Sequence, residues 1–245
     1  MQTRKQLLRS SLTVAALLVA LSGTAQASLT TIGTATYGGQ NYNLIWDNDN
    51  NGKSIVWLDY TKGGAAWYDQ VAWAAGLGNS ISSINLKTGY SLNWSDTAWR
   101  LPSTVDGPYV NGTNGTTTAG YNITNSELGH LYYTELGNKG YLSTTGAYQP
   151  DNGLKNKGDF AHLQSDWYYS GTDYAATSGG AWSFLTFYGY QYPSSKYDSY
   201  YLGIAVRSGQ VLYQEETLTP LPAALPLFGS GLAALAGLRF RRRVR

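Results

Sequence analysis

The central region of the sequence predicts an α+β fold, and three features carry that reading. An aromatic and β-branched hairpin pattern is followed by a helical repeat, a second helix opens with a capping signature, and the second half alternates short strands with turns. The two ends differ in composition from this region and are set apart from it.

Residues 1–27 hold Arg4, Lys5 and Arg9, then an apolar run from Leu12 to Leu21, then Ala25-Gln26-Ala27. A basic start, an apolar middle and an Ala-x-Ala ending make a secretory signal peptide, with cleavage by signal peptidase expected after Ala27. The apolar run is about half the ~20 residues an uncleaved anchor needs.

The hairpin is read from Tyr42–Trp46 and Ser54–Tyr60 on either side of Asp47-Asn-Asp-Asn-Asn-Gly52. Ala65–Ala75 places Trp67, Val71, Ala74 and Ala75 at helical spacing, and Gly76 is expected to end that helix. Residues 79–94 read as extended, and 106–120 as a Gly/Asn/Thr loop without periodicity. Thr124-Asn-Ser-Glu127 is a capping box for a helix that buries Leu128, Leu131, Tyr132 and Leu136 before Gly137. Strands are expected at Trp167–Ser170, Ala181–Tyr188, Tyr200–Arg207 and Gln210–Tyr213, and the segment Gly189–Asp198 is expected to be a loop. Residues 28–212 then form one globular domain, 213–218 a linker and 219–245 a separate C-terminal segment.

Residues 28–218 carry nine Lys plus Arg against 15 Asp plus Glu, a net charge of −6. Without a basic face, nucleic acid is excluded as a partner. All eight Trp and most of the 21 Tyr lie in the central region, so the core is aromatic. The chain has no Cys, which removes disulfides, thiol nucleophiles and thiolate metal ligands.

The C-terminal segment reads Thr219-Pro220-Leu221-Pro222-Ala223, continues without charge to Leu238, and ends with five arginines. Leu221–Leu238 would span about 27 Å as a helix, although Pro222 and Pro226 interrupt its start. A C-terminal membrane helix is therefore expected, with the arginines cytoplasmic and the domain on the opposite side. The segment resembles the sorting signals of PEP-CTERM proteins of the Val-Pro-Leu-Pro-Ala type, with Thr219 in place of Val. That resemblance implies recognition of Pro220, Leu221, Pro222 and Ala223 by an exosortase. It also implies an inner-membrane-tethered intermediate and delivery to the cell surface or extracellular polysaccharide matrix of a Gram-negative bacterium.

Between Asp96 and Val211, the ordered strings Trp99-Arg-Leu-Pro102, Ser126–Gly137, Tyr168–Thr172, Ala181-Trp182 and Ala205–Gly209 resemble the Lcl C-terminal domain family of bacterial adhesins. The resemblance implies a C-type-lectin-like fold, with two helices flanking twisted antiparallel sheets and long loops. That fold is shared with the formylglycine-generating enzyme, whose cysteine-dependent activity does not carry over to a chain without Cys. Arg100 and Arg207 fall within these strings and are expected to be paired fold determinants.

Chemistry is sparse. Asp47, Asp49 and Asn51 match the opening of a calcium loop, but Leu58 stands where a bidentate Glu is needed, and a hairpin turn of Asn, Asp and Gly is the competing reading. Glu127 and His130 share a helix face that is expected to be exposed, and His162 stands alone near Asp159 and Asp166. No hydrolase, metalloprotease or phosphate-loop motif occurs, so an enzyme is not expected and no cofactor beyond calcium is suggested. The aromatic run from Trp167 to Tyr201 exceeds what one sheet face can bury. Tyr174, Tyr190, Tyr192 and Tyr197 are the expected ligand contacts, with Asp173, Gln191, Lys196 and Asp198 as polar partners. The function expected is that of a non-catalytic, lectin-like surface or matrix protein binding carbohydrate or mediating adhesion. The alternatives are an extracellular enzyme acting on polysaccharide and a structural matrix component without ligand.

Overall fold

A computed structural model describes residues 28–96 and 98–215. The chain opens with three long antiparallel strands, β1 (Leu29–Tyr37), β2 (Gln40–Asn50) and β3 (Lys53–Lys62). The sequence reading places no element over β1, whose Thr, Gly and Ala residues give little apolar alternation. Between β2 and β3, Asn50 pairs with Lys53, and Asn51 (φ 54°) and Gly52 (φ 78°) make the turn. Two successive positive φ values are the two-residue hairpin turn that Asn-Gly favours.

Helix α1 (Trp67–Ser80) buries Trp67, Gln70, Ala74 and Leu77, an i, i+3, i+7, i+10 stripe. It runs through Gly76, the expected stop, because fully buried Leu77 lies one residue beyond. Packing here outweighs the roughly 1 kcal/mol that a mid-helix glycine costs. The chain then passes directly into β4 (Ile81–Leu86) and, after a turn, β5 (Tyr90–Trp94). Short pieces follow at β6 (Asn111–Gly112), inside the expected loop, and β7 (Ala119–Tyr121), across its end.

The second helix departs from expectation in register and type. Ser126, not Thr124, is the N-cap, its side chain accepting from the Gly129 N–H. One α-helical turn, α2 (Glu127–His130), gives way to a π-helical turn over Leu131–Glu135. The later strands are β8 (Trp167–Asp173), β9 (Gly180–Leu185), β10 (Tyr190–Ser195) and β11 (Gly203–Tyr213). Strand β10 occupies the segment expected to be a loop, and β11 joins two expected strands into one.

Two sheets result, one in the order β4-β1-β2-β3-β11-β5 and one in the order β6-β7-β10-β9-β8. All strand pairs are antiparallel except the two-residue β6–β7 pair. Strand β3 is buried on both faces, Ile55, Val56, Trp57 and Leu58 each being fully covered. Val56 and Leu58 join the cluster under α1 with Leu44, Ala74 and Leu77. Ile55 and Trp57 point oppositely, into a cluster with Leu128, Leu131, Tyr132, Phe160 and Phe184. The period-2 alternation of a strand thus supplies two cores, one on each side of the larger sheet.

Arg100 links helix and sheet. Its backbone bridges to Val206 of β11, and its guanidinium forms a bidentate pair with buried Glu127 at 2.6 and 2.8 Å. Glu127 also accepts from the Ser103 N–H at 2.7 Å. Arg207 packs over the Trp94 ring and donates to the Asp96 carbonyl at 2.9 Å. Both arginines hold segments together, as their place in core motifs suggested.

Among the described residues no helix is long and apolar enough to cross a membrane. The longest, α1, has 14 residues, about 21 Å against a ~30 Å hydrocarbon core. Over the described residues the expected architecture is corrected accordingly to α+β without a membrane helix. The membrane partner and the inner-membrane-tethered stage that depended on that helix are withdrawn with it. Ala25 and Ala27 of the expected signal peptide, Pro220, Leu221, Pro222 and Ala223 of the expected sorting motif, and the 219–245 segment as a whole lie outside the described residues.

Candidate functional site

The smaller sheet turns a tyrosine-rich face outward. Beside β9 and β10 lies a groove of about 600 Å³ walled by Tyr109, Tyr174, Tyr192 and Tyr197, with Thr177 and Ser195 among its polar lining. Tyr174 is half-buried, held edge-on against Trp182 at 5.3 Å. The Trp182 indole N–H in turn donates to Asp106 at 2.8 Å, which ties the 106–120 segment to β9. Tyr197 is the most open of the four at 73 % exposure, and its ring lies 6.5 Å from that of exposed Tyr68. Gly179 and Gly180 form the floor, where an added Cβ at Gly180 would lie 3.1 Å from the Tyr174 ring.

From this groove a line of tyrosine rings runs without interruption across the edge of the sheet. Tyr109 meets Tyr192 edge-on at 5.7 Å, Tyr192 stacks on Tyr190 at 6.0 Å, and Tyr190 lies 4.8 Å from Tyr121. Tyr121 is followed by Tyr141 at 6.4 Å and Tyr141 by Tyr148 at 5.0 Å. Strand periodicity explains part of the line, since Tyr190 and Tyr192 are i and i+2 on one face of β10 and Tyr190 pairs across to Tyr121 of β7. Tyr109, Tyr141, Tyr148 and Tyr192 are exposed, while Tyr121 and Tyr190 are half-buried. Burial, with Tyr109 and other tyrosines nearby, pushes the Tyr190 hydroxyl well above the usual phenol range. That hydroxyl donates to Asn111 Oδ1 at 3.1 Å.

Of the four expected ligand contacts, the groove brings together Tyr174, Tyr192 and Tyr197, and Tyr190 stands behind Tyr192. Tyr109, Tyr121, Tyr141 and Tyr148 come from segments without strand periodicity, and only the folded ring contacts reveal them. The expected polar partners are mostly structural. Lys196 is buried, ion-paired to Asp173 and placed over the Trp67 ring at 4.6 Å. Gln191 is buried and bonded to the Thr118 carbonyl and the Thr104 hydroxyl.

The residues of the expected calcium loop are divided among different tasks. Asp49 is exposed and caps the hairpin turn by accepting from the Gly52 N–H at 2.9 Å, and Asn51 holds the left-handed position of that turn. Asp47 is fully buried instead, its Oδ2 accepting from Asn50 Nδ2 at 2.8 Å and from the Trp57 indole at 3.3 Å. Its Oδ1 has no hydrogen-bond partner. Burial raises the Asp47 carboxyl above the usual carboxylate range, against the opposing hydrogen bonds.

His130 and Glu127 are both buried, contrary to the exposed pair expected. Glu127 turns to Arg100, whereas His130 Nε2 lies 3.1 Å from Glu135 Oε1. The π-helical turn accounts for this pairing. Residues five apart lie about 140° apart around an α-helix, and the wider turn of a helix with i→i+5 bonds brings them much nearer to one side. One donor atom each from Asp47, His130 and Glu135 lie within 4.8 Å of one another. Burial and the nearby Asp47 charge raise the Glu135 carboxyl. His162 pairs with buried Asp59 through Nδ1 at 3.2 Å, and Asp59 also accepts the backbone N–H groups of residues 161 and 162. Among the described residues no Ser or Thr hydroxyl is hydrogen-bonded to the His162 ring, while the Thr61 hydroxyl donates to the His162 carbonyl at 2.7 Å.

Comparison with known proteins finds no protein-family model that matches the chain, no similar curated protein and no matching solved structure.

Proposed function

We propose that the domain is a non-catalytic binding module of an exported protein and that it holds an extended carbohydrate chain along its tyrosine surface. The observation that carries this reading is the unbroken line of six rings from Tyr109 to Tyr148, which opens at one end into the Tyr174–Tyr197 groove. Tyrosine faces are flat, apolar and rigid, and each carries a hydroxyl at its rim, which suits the alternating apolar and hydroxylated faces of a sugar ring. A line of such faces fits a polymer better than a single small molecule. The groove's carboxylate neighbours are committed elsewhere, Asp106 to Trp182 and Asp173 to Lys196, which favours binding over hydrolysis. The N-terminal Ala25-Gln26-Ala27 pattern supports export.

The test is retention of the full chain on a panel of immobilised polysaccharides, with parallel assays for released sugar. The triple variant Tyr109→Ala/Tyr192→Ala/Tyr197→Ala is expected to abolish retention while leaving the melting temperature within a few degrees, since all three rings are exposed. Retention that survives the triple change, or release of sugar by the wild-type chain, would overturn the proposal.

A further inference from the structure

The geometry points to a divalent metal site formed by Asp47, His130 and Glu135 between the β2–β3 hairpin and the α2–π helix, with donors suited to zinc. Three observations converge on it. The first is the spacing. Zinc held at about 2.0–2.2 Å by four tetrahedral donors puts those donors about 3.4 Å apart. The His130 Nε2–Glu135 Oε1 pair, at 3.1 Å, is already one edge of such a polyhedron, and the Asp47 donor is within 4.8 Å of both.

The second is the unpartnered oxygen. Asp47 Oδ2 is fixed by Asn50 and Trp57, so the oxygen left over in this fully buried residue is Oδ1, which has no partner. A buried carboxylate oxygen without a hydrogen bond is costly unless something binds it. The fixing of Oδ2 is also the arrangement by which outer groups orient a metal-ligating carboxylate. The third is the absence of a competing Lys or Arg. Among the described residues no Lys or Arg forms an ion pair with Asp47 or Glu135, and Lys53 lies instead near Glu127.

The donor set selects the ion. An imidazole with two carboxylates suits zinc, whereas calcium takes six to eight oxygens and no nitrogen. The ligand side chains are 10 % exposed at His130 and 2 % at Glu135, so the ion would be enclosed as a clasp between hairpin and helix, with water completing the fourth position beside the three protein donors. The π-helical turn acquires a purpose on this account, because its wider turn brings Glu135 towards His130.

The test uses the full chain stripped with EDTA and titrated with ZnCl2 by calorimetry, with cobalt(II) as a spectroscopic probe. One equivalent of zinc is expected, with a raised melting temperature and a cobalt spectrum of four-coordinate nitrogen and oxygen ligation. His130→Gln and Asp47→Asn are each expected to weaken zinc binding by about tenfold or more, while His162→Gln leaves it unchanged. X-ray absorption of the zinc-loaded wild-type chain, showing one imidazole in the first shell, keeps the test decisive should a variant misfold. Failure to bind stoichiometric zinc, zinc binding unaffected by His130→Gln, or a thermal shift with CaCl2 and none with ZnCl2 would each overturn the proposal.

Discussion

Replacing Glu127 by Ala removes the buried carboxylate that joins α2 to Arg100, whose backbone bridges to β11. Glu127 accepts two charge-assisted hydrogen bonds from Arg100, at 2.6 and 2.8 Å, and one from the Ser103 N–H at 2.7 Å, and it is 2 % exposed. Breaking a buried ion pair by deleting one partner costs about 3–5 kcal/mol, because the other charge is left without compensation. Here the Arg100 side chain is 34 % exposed and Asp96 lies 4.0 Å from its Nε, so water and that carboxylate offset part of the loss and the lower end of that range applies. The expected loss is about 3 kcal/mol, or about 1–2 M in the urea midpoint for a slope near 2 kcal/mol/M. Urea unfolding followed by tryptophan fluorescence reads it directly, since Trp57 and Trp99 are in the core. Glu127→Gln, which keeps the shape and loses the charge, is expected to cost roughly half as much. Lys53→Ala, removing an exposed partner 3.9 Å away, is expected to change stability by less than about 0.5 kcal/mol. A loss under about 1 kcal/mol for Glu127→Ala would refute the argument that this pair fastens helix to sheet.

Gly129→Ala tests steric against intrinsic preference. Alanine is favoured over glycine in helices by about 1 kcal/mol, yet a Cβ here would lie 2.0 Å from the Ile123 carbonyl oxygen, so thermal unfolding is expected to show destabilisation by at least about 2 kcal/mol. Gly120→Ala meets two obstacles, a φ of +114° and a Cβ 1.9 Å from the Gly112 oxygen, and is expected to detach β6 from β7 and lower the melting temperature. Burial pushes the Tyr168 hydroxyl up to about 12, above the value near 10 of an unfolded chain. Its protonated form therefore stabilises the fold fully below about pH 10, and that contribution is lost as pH rises towards 12. Tyr168→Phe should make the fall in unfolding free energy over that interval shallower, as measured by denaturant titration at about pH 9 and about pH 11.5.

The sequence announces the hairpin, the first helix and the later strands wherever apolar periodicity is strong, as in Ser54–Tyr60 and Ala181–Leu185. It hides β1, where Thr and Gly dominate and Gly33 lets β4 approach so closely that a Cβ would lie 2.3 Å from the Asn85 oxygen. It misplaces the start of α2 because Thr124-Asn-Ser-Glu127 matches a capping box, whereas Glu127 pairs with Arg100 and Ser126 takes the cap. The His130–Glu135 partnership is invisible at α-helical spacing, since nothing in Leu131–Glu135 signals a wider turn. The groove was legible in part. Tyrosine excess marked Tyr174, Tyr192 and Tyr197, but the ring line needs β7 beside β10, a pairing that local sequence does not encode.

Strand β11 has a consequence for the order in which the protein can assemble. It lies between β3 and β5, yet about 140 residues separate its start from the end of β3, and closing a loop of that length costs about 4 kcal/mol of chain entropy beyond the constant term. The β1–β2–β3 meander can form as soon as it is synthesised, but the open edge of β3 and the apolar faces of Val56, Trp57 and Leu58 wait for the last strand to arrive. Folding is therefore governed by the final tenth of the described chain, and it should be slow for the size of the domain. A chain cut before Gly203 would be left with an unpaired, hydrophobic strand edge, the template on which such fragments aggregate.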